Sequence, residues 1–369
     1  MKLSRLDVTG VRNLSRVSLG SLGRVNVFHG DNGAGKTSLL EAIHILGLAR
    51  SFRSTQLQPV ICYDMDACTV YGEVERLDGS GFSLGVERSR RGRFRARLDG
   101  VSERRLVRLA DEFPVQLINA SANALLESGP KQRRQFVDWG VFHVEHQFYG
   151  IWQRLQRAVK QRNSLLRARR SSRGIESELD QWDRELALAG EAIDQARGRY
   201  LRDFSPAFQR HLSALLKLSE LRIDYRRGWS EEMALIQALR ESRERDCRRG
   251  VTHVGPHRAD LRVTVNGHEA GQVLSRGQQK MVVCAMRLAQ CELLVSLSPS
   301  KRCVMLVDDL PAEMDEEHQA KLCQSLYSLG VQLFMTCVDP SSLSNQVWAG
   351  VDGECRLFHV EQGEVRESS

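Results

Sequence analysis

Two kinds of hydrophobic pattern divide this chain. In its first third, short apolar runs alternate with polar residues, as in KLSRLDVTGV, CTVYGEVER, FSLGVERS and FRARLDG, and glycines separate the runs. A period of two between turn residues predicts β-strands. One segment differs, because SLLEAIHILGL has the apolar spacing of a helix. The first third is therefore predicted to be mixed α/β.

Long amphipathic segments follow, from about Leu125 to Arg249. Apolar residues recur there at helical spacing with few helix breakers, which predicts an inserted helical arm. Heptads are not sustained, so a long antiparallel coiled coil is not expected. Strand and helix patterns return in THVGPHRADLRVTVNG, MVVCAMRLAQCELLV, CVMLVDDL and ECRLFHVEQGEV. We therefore predict an α/β head in two halves, residues 1–120 and 250–369, with the helical arm at 121–249 between them.

A glycine-rich loop joins the predicted strand RVNVFHG to the first helix. Its sequence, GDNGAGKTS, fits the pattern Gly, four residues, Gly-Lys-Thr, in which backbone N–H groups and a helix N-terminus bind phosphates. Lys36 is expected to reach the β and γ phosphates of ATP, and the Thr37 hydroxyl to bind Mg²⁺. The flanking strand and helix favour this interpretation over an unrelated glycine-rich turn. The predicted ATP-binding residues are Gly30, Asp31, Asn32, Gly33, Ala34, Gly35, Lys36, Thr37 and Ser38.

Two adjacent carboxylates end a hydrophobic run far downstream. The run CVMLVDDL closes with Asp308 and Asp309, as expected of a buried strand that carries an acidic motif at its carboxyl end. Asp308 is predicted to share Mg²⁺ with Thr37. The long separation from the glycine-rich loop indicates that the ATPase core is split by the helical arm and closes when both ends fold together.

A third motif, VLSRGQQK, precedes a predicted helix. In proteins of the ATP-binding-cassette type, such a motif is a helix N-terminus that meets the γ-phosphate held by a second subunit. The alternative is an ordinary helix cap with Ser275 as the N-cap residue. The order and spacing of the three motifs favour the first interpretation, which requires an ATP-dependent homodimer. The predicted residues are Ser275, Arg276, Gly277 and Gln278.

Composition narrows the protein class. The 369 residues suit two to three domains, and 41% hydrophobic with 27% charged residues is a globular composition. No run approaches the roughly 18 apolar residues of a membrane span, and the N-terminus lacks an apolar signal region. A cytoplasmic protein without membrane contact is expected. The nine cysteines form no C-x-x-C pair, so reduced thiols are favoured over a zinc site or disulfides.

Positive charge is concentrated in two stretches of a chain whose formal net charge is +7. The stretch from Arg88 to Arg108 alternates like strands, and the stretch from Arg154 to Arg173 is helical in pattern and has no acidic residue. Each could be only a solvated face. Beside an ATPase, however, the basic helix suggests binding to nucleic-acid phosphates with little sequence preference. The candidate DNA-binding residues are Arg154, Arg157, Lys160, Arg162, Arg167, Arg169 and Arg170.

Taken together, these motifs resemble those of the RecF family, ATP-binding-cassette relatives of the SMC ATPases. The resemblance covers nearly the whole chain and rests on GDNGAGKTSLLEAIHILGLARSFRS, LLESGPKQRRQFVDWGVFH, THVGPHRADL, LSRGQQK and LVDDLPAEMD. It implies a P-loop ATPase head with an inserted helical arm and a dimer that forms on ATP. It also implies binding to single-stranded and duplex DNA at gap junctions, and slow DNA-stimulated ATP hydrolysis. The expected partners are RecR and RecO, with which the protein would load RecA. The expected pathways are replication restart and the SOS response.

The resemblance also assigns roles to particular residues. Lys36 and Asp309 become the catalytic candidates, with Asp309 placed to polarise the attacking water. Gln116 is a candidate Q-loop residue, and the stretch from Glu313 to Asp315 resembles the D-loop that couples two sites. The chain departs from the family pattern near Thr336, where no histidine occupies the usual γ-phosphate sensor position.

Two other protein classes share some of these motifs. The nucleotide-binding subunit of a transporter would have the same three ATP motifs, but it would not explain the basic helical arm or the long split between motifs. An SMC-like tether or a nuclease-associated ATPase is the other alternative. The absence of a C-x-x-C hook and of sustained heptads disfavours the tether, and the short segment after Asp309 leaves little space for a nuclease domain.

Overall fold

The computed structural model describes residues 1–56, 58–168, 176–218, 220–309, 314–343 and 354–368. Contacts within the chain divide it into two compact units, and each is considered by itself. The first unit comprises Met1–Ala122, Ala214–Leu216 and Lys280–Ser369, and the second comprises Asn123–Ser213 and Lys217–Gln279. The sequence-based division differs at residues 250–279, which the contacts assign to the second unit.

An antiparallel sheet forms one layer of the first unit. Its strands are β1 (Lys2–Val11), β2 (Leu14–Leu19), β4 (Ala67–Glu75), β5 (Gly81–Ser89), β6 (Phe94–Leu98) and β7 (Val101–Glu103), in the order β2-β1-β4-β5-β6-β7. Alternate residues of the longer strands face the core, as the period of two predicted; Leu6, Val70, Leu84 and Ala96 are buried. The alternation leaves the other face of the sheet polar.

A mainly parallel sheet forms the other layer. Its strands are β3 (Val25–His29), β8 (Val115–Ile118), β12 (Val304–Val307), β13 (Gln332–Cys337), β14 (Cys355–Glu361) and β15 (Glu364–Ser368), in the order β15-β14-β3-β13-β12-β8. Only β15 runs antiparallel to its neighbour. Strands β12 and β13 are buried along their full length, as is typical of a parallel sheet covered on both faces.

Helices α1 (Lys36–Leu48), α2 (Leu106–Glu112) and α10 (Glu316–Ser328) belong to the first unit. Residues 280–297 of α9 (Arg276–Leu297) belong to it as well. Helix α1 contributes Leu39, Leu40 and Ile43 to one hydrophobic cluster that also contains residues of both sheets. Because β3, β12 and β13 are parallel, their carboxyl ends lie side by side at one edge of the sheet.

The second unit is mainly helical. Its helices are α3 (Ala124–Glu127), α4 (Pro130–Val144), α5 (Phe148–Ala168), α6 (Glu176–Leu215), α7 (Leu235–Arg249) and α8 (Ala270–Val273), and α9 (Arg276–Leu297) begins in it. Helices α4 and α6 pack closely, since a Cβ atom at Gly140 would lie 2.2 Å from the ring of Tyr200. The rings of Phe136 and Phe204 meet edge to face, with their centroids 5.7 Å apart.

The second unit also contains a small antiparallel sheet, in which the strand pattern of THVGPHRADLRVTVNG is confirmed and a further strand was not predicted. Its strands are β9 (Leu221–Arg226), β10 (Asp260–Val265) and β11 (His268–Glu269), in the order β11-β10-β9. Strand β9 lies inside the predicted helical arm, and it pairs with β10 over its whole length. This pairing explains why residues 250–279 belong to the second unit and not to the first.

A buried ionic cluster joins three helices of the second unit. Arg162 of α5 is fully buried, and its guanidinium donates to Asp183 Oδ1 of α6 at 2.6 Å and to Asp246 Oδ2 of α7 at 2.7 Å. A third donor bond, 2.9 Å long, reaches Thr252 Oγ1. The prediction that Arg162 binds DNA is therefore wrong. The sequence pattern could not separate a buried arginine from its exposed neighbours, because its acidic partners come from distant segments.

Within the described ranges, we find no helix that is both long enough and apolar enough to cross a membrane.

Arg162→Met should destabilise the protein by about 3 to 5 kcal/mol, because it leaves two buried carboxylates without their shared guanidinium. Arg157→Met is the matched control, since Arg157 is exposed on the same helix, and its effect should stay within about 0.5 kcal/mol. Urea denaturation of both variants measures the difference. Equal stability of the two variants would contradict a structural role for Arg162.

Candidate nucleotide site

The glycine-rich loop lies between β3 and α1, and its backbone requires glycine. Gly30, Gly33 and Gly35 have φ values of 135°, 85° and 124°, which favour a residue without a Cβ atom. A Cβ atom at Gly30 would also lie 2.2 Å from the carbonyl oxygen of Val360. Because α1 begins at Lys36, its free N–H groups and positive N-terminal end adjoin the loop.

Hydrogen bonds from three segments hold the loop in shape. The Lys36 ammonium donates to the carbonyl oxygens of Gly30 at 2.6 Å and Asp31 at 2.9 Å. Asn13 Nδ2 donates to the Ala34 carbonyl oxygen at 3.0 Å, and the N–H of Gly363 donates to the same oxygen at 2.8 Å. The loop therefore depends on residues near both ends of the first unit.

Asn13 has a second contact, which ties the start of α1 to the segment after β1. Its Oδ1 accepts a hydrogen bond from Ser38 Oγ at 3.0 Å. The neighbouring Arg12 forms two hydrogen bonds, of 2.8 and 2.9 Å, with the buried carboxylate of Glu41. Sequence reasoning missed both residues as site components. The only available signal was the polar pair in VRNLS between two predicted strands.

The two downstream carboxylates meet the loop at the sheet edge. Thr37 Oγ1 donates to Asp308 Oδ1 at 2.9 Å, although the two residues are 271 positions apart. Thr336 at the end of β13 also donates to Asp308 Oδ1, at 2.8 Å. The N–H of Asp309 in turn donates to Thr336 Oγ1 at 2.7 Å. One threonine hydroxyl therefore fixes both the side chain of Asp308 and the backbone of Asp309.

Asp309 has an uncommon backbone conformation. Its φ is 55°, in the left-handed region that aspartate tolerates better than most residues with a Cβ atom. The residue is exposed, whereas Asp308 is partly buried. The chain therefore leaves the strand direction immediately after Asp308, and the two adjacent carboxylates occupy different environments.

These residues surround a cavity of about 340 Å³ in the first unit. Its walls combine backbone N–H groups, the Lys36 ammonium and two guanidinium groups, which suit phosphate oxygens. Thr37 and Asp308 add a hydroxyl and a carboxylate oxygen, the hard ligands that Mg²⁺ prefers. The lining residues are Arg12, Asn13, Asn32, Gly33, Gly35, Lys36, Thr37, Ser38, Arg53, Asp308, Asp309 and Thr336.

Comparison with known proteins identifies the family. A family model described as the RecF/RecN/SMC N-terminal domain matches residues 2–365. The DNA replication and repair protein RecF of Pseudomonas aeruginosa (strain LESB58) is 49% identical over 369 residues, which cover 100% of this chain and 98% of that protein. RecF of Stutzerimonas stutzeri (strain A1501) is 52% identical over 368 residues, with coverage of 100% and 98%. The chain belongs to the RecF family.

Solved structures share the fold of this RecF-family protein. A structure described as the recombination mediator protein RecF-ATPrS in the RecFOR pathway superimposes with a TM-score of 0.86 at 24% identity, covering 100% of this chain and 98% of that one. An SMC head bound to the C-terminal winged-helix domain of ScpA gives a TM-score of 0.60 at 14% identity, with coverage of 100% and 98%. The predicted fold class, an SMC-like P-loop ATPase head with an inserted helical domain, is confirmed.

The Q-loop candidate of this RecF-family protein lies away from the cavity lining. Gln116 is buried in β8, where its amide donates to Gln290 Oε1 at 2.9 Å and accepts from Arg287 Nη1 at 2.7 Å. It is not among the described residues that line the cavity. Both ends of its amide form hydrogen bonds within the core. Gln116 therefore has a structural role in the first unit and does not line the cavity, as a Q-loop residue was expected to do.

The Ser275 motif forms a reciprocal helix cap in the second unit. The N–H of Gln278 donates to Ser275 Oγ at 3.3 Å, and the N–H of Ser275 donates to Gln278 Oε1 at 3.0 Å. This is the capping-box arrangement, so the helix-cap interpretation holds within one chain. Ser275, Arg276 and Gly277 are nevertheless exposed. Contact with a partner's nucleotide therefore stays a prediction.

The other predicted DNA contacts have unequal surroundings. Arg154 is exposed but lies 3.2 Å from Glu185 of α6, and Arg157 and Lys160 are exposed on the same face of α5. Arg167 is exposed and packs its side chain against Gly250. The remaining candidates, Arg169 and Arg170, lie outside the described residues, as does Glu313 of the D-loop candidate. Asp315 from that stretch caps α10 by accepting from the N–H of His318 at 2.9 Å.

Proposed function

We propose that this RecF-family protein is an ATP-dependent DNA-binding protein of recombinational gap repair. The observation that carries the proposal is the hydrogen bond between Thr37 and Asp308, because it places the phosphate-binding loop against the acidic strand end that P-loop ATPases use. In this proposal ATP occupies the cavity beside the loop. ATP acts mainly as a switch between monomer and dimer. A ligand shifts such an equilibrium only when it binds one state more tightly than the other.

The side chains of the cavity suit ATP with Mg²⁺. Thr37 and Asp308 would hold the metal, and the metal would neutralise negative charge on the phosphates. Lys36 would exchange its carbonyl partners in the loop for phosphate oxygens. Asp309 is the proposed base toward an attacking water, because it is the exposed carboxylate at the cavity. Thr336 is the proposed positioning residue that orients both aspartates.

Two chains and several partners complete the proposal. Exposure of the Ser275 motif supports a homodimer in which the motif of one subunit covers the ATP of the other. The relatives' name as DNA replication and repair proteins, and the description of one homologue as a mediator in the RecFOR pathway, support a place in gap repair. We propose single-stranded and duplex DNA at gap junctions as ligands, with RecR, RecO and RecA as protein partners. Cytoplasmic location and a part in the SOS response stay predictions from the sequence.

Two substitutions separate nucleotide binding from hydrolysis. Lys36→Ala should lower ATP affinity by roughly 10-fold to 100-fold, because it removes charge-assisted hydrogen bonds worth about 1.5 to 3 kcal/mol. Asp309→Asn should bind ATP but hydrolyse it at least about 100-fold more slowly, since it lacks the base. Sedimentation with ATP should therefore show monomers of the first variant and long-lived dimers of the second.

Each outcome can contradict the proposal. A wild-type protein that stays monomeric at micromolar concentration with ATP would refute the switch. An Asp309→Asn protein with undiminished turnover would show that the base lies elsewhere.

The role of Thr336 can be tested by restoring its hydroxyl. Thr336→Val should lower ATP turnover by roughly tenfold or more, because the hydrogen bonds to Asp308 and Asp309 are lost. Thr336→Ser should recover most of the turnover, and both variants should bind ATP with similar affinity. Turnover and fluorescence titration with an ATP analogue provide the comparison. Equal turnover in the two variants would refute a positioning role for the hydroxyl.

A further inference from the structure

An exposed row of arginines begins just before β6 and continues along it, within the positively charged stretch from Arg88 to Arg108. Phe94, Ala96 and Leu98 of this strand face the core, so the alternate residues point to the opposite side of the sheet. Within β6 those residues are Arg95 and Arg97, and Arg93 immediately precedes the strand; all three are exposed. We refer to them as the β6 arginine row.

Little negative charge opposes the β6 arginine row. Arg95 lies 3.8 Å from Glu87 on the neighbouring strand, a weak and exposed pair. Among the described residues, Arg93 and Arg97 have no ion pair. Arg97 is flanked in the sheet by Gly85 and Ser102, which leave its guanidinium uncovered.

Three other arginines of the same unit, in contrast, have partners. Arg5, on the same sheet, lies 3.0 Å from Asp7 and 3.6 Å from Glu73. Arg88 turns to the core side, where its guanidinium lies over the ring of Phe94. Arg90 donates to backbone carbonyl groups, including that of Met65 at 2.8 Å. The β6 arginine row therefore differs from these three arginines, because its members are exposed and only Arg95 lies near a carboxylate among the described residues.

The spacing of the row suits a linear polyanion. Alternate residues on a strand are about 7 Å apart, so the three arginines extend over roughly 14 Å. One strand of duplex DNA presents a phosphate about every 3.4 Å along its axis, which lets several phosphates face the row. Exposed Arg91 and Arg104 extend the positive surface at its two sides.

We propose that the β6 arginine row binds the phosphate backbone of duplex DNA. Duplex DNA is favoured over an acidic protein because the row has no apolar centre, whereas the cores of protein interfaces are apolar and depleted of charge. Guanidinium groups bind phosphate oxygens through paired N–H donors. Contacts of this kind read no bases, so binding is independent of sequence. This inference rests on the proposed DNA-binding function and assigns a surface to it.

The test compares full-length variants on random-sequence duplex across a salt series. The row variant carries Arg93→Gln, Arg95→Gln and Arg97→Gln, and Arg5→Gln is the control with the same residue type in a neutralised position. Each phosphate contact contributes about 0.9 to the slope of log affinity against log salt. The slope of log affinity against log salt should therefore be less steep by roughly 2.7 in the row variant than in the wild type. The row variant should also bind at least about tenfold more weakly at low salt. Arg5→Gln should match the wild type.

Further arms of the experiment identify the source of a failure. Wild-type protein that does not bind duplex at all would refute the DNA-binding function, and the inference with it. Wild-type binding with an unchanged slope in the row variant would overturn the inference alone. A loss confined to single-stranded DNA would overturn the duplex assignment. Substitution of Arg154, Arg157 and Lys160 by Gln should change the slope less than the row variant does, and a larger change would assign the surface to α5.

Correct folding of the row variant is checked independently. Its thermal midpoint and ATP affinity should equal those of the wild type, because the row lies outside the residues that line the cavity. If the triple variant does not fold, Arg97→Gln alone should still lower the slope by about 0.9. Replacement of all three arginines by Lys should retain the slope, since the charge is kept, and a loss there would contradict binding through charge.

Discussion

The carboxyl ends of three parallel strands determine where the chemistry of this protein lies. Strands β3, β12 and β13 come from opposite ends of the chain, yet their pairing brings Thr37 and Thr336 within hydrogen-bond distance of Asp308. No single segment contains the site. Assembly of the cavity therefore requires strands from both ends of the chain to pair in one sheet.

The second unit is organised by a different interaction. Arg162 holds together α5, α6 and α7 through carboxylates on two of them, with no exposure to solvent. A buried guanidinium requires all of its donors to be matched, so this cluster specifies one arrangement of the three helices. The same chain therefore uses arginine in two ways, as a buried connector on α5 and as an exposed cation on β6.

Local patterns predicted those parts of the structure that local chemistry determines. The loop from Gly30 to Ser38 and the Asp308 strand were found from their residues, because phosphate binding requires that sequence in that context. Arg12 and Asn13 were missed as site components, because each acts through a contact with a distant segment. Strand β9 was read as helical arm, because its partner β10 follows only after α7, and the roles of Arg162 and Gln116 depend on burial that one-dimensional periodicity does not report.

The hydrogen bond from Gly363 to Ala34 has a consequence for the timing of biosynthesis. The glycine-rich loop leaves the ribosome early, but one of the donors that shapes it belongs to the β14–β15 hairpin, which is translated long after it. A nascent chain therefore contains the complete glycine motif long before it contains the complete loop geometry. The loop geometry of this structure accordingly requires the hairpin to be synthesised and paired with its neighbour in the sheet.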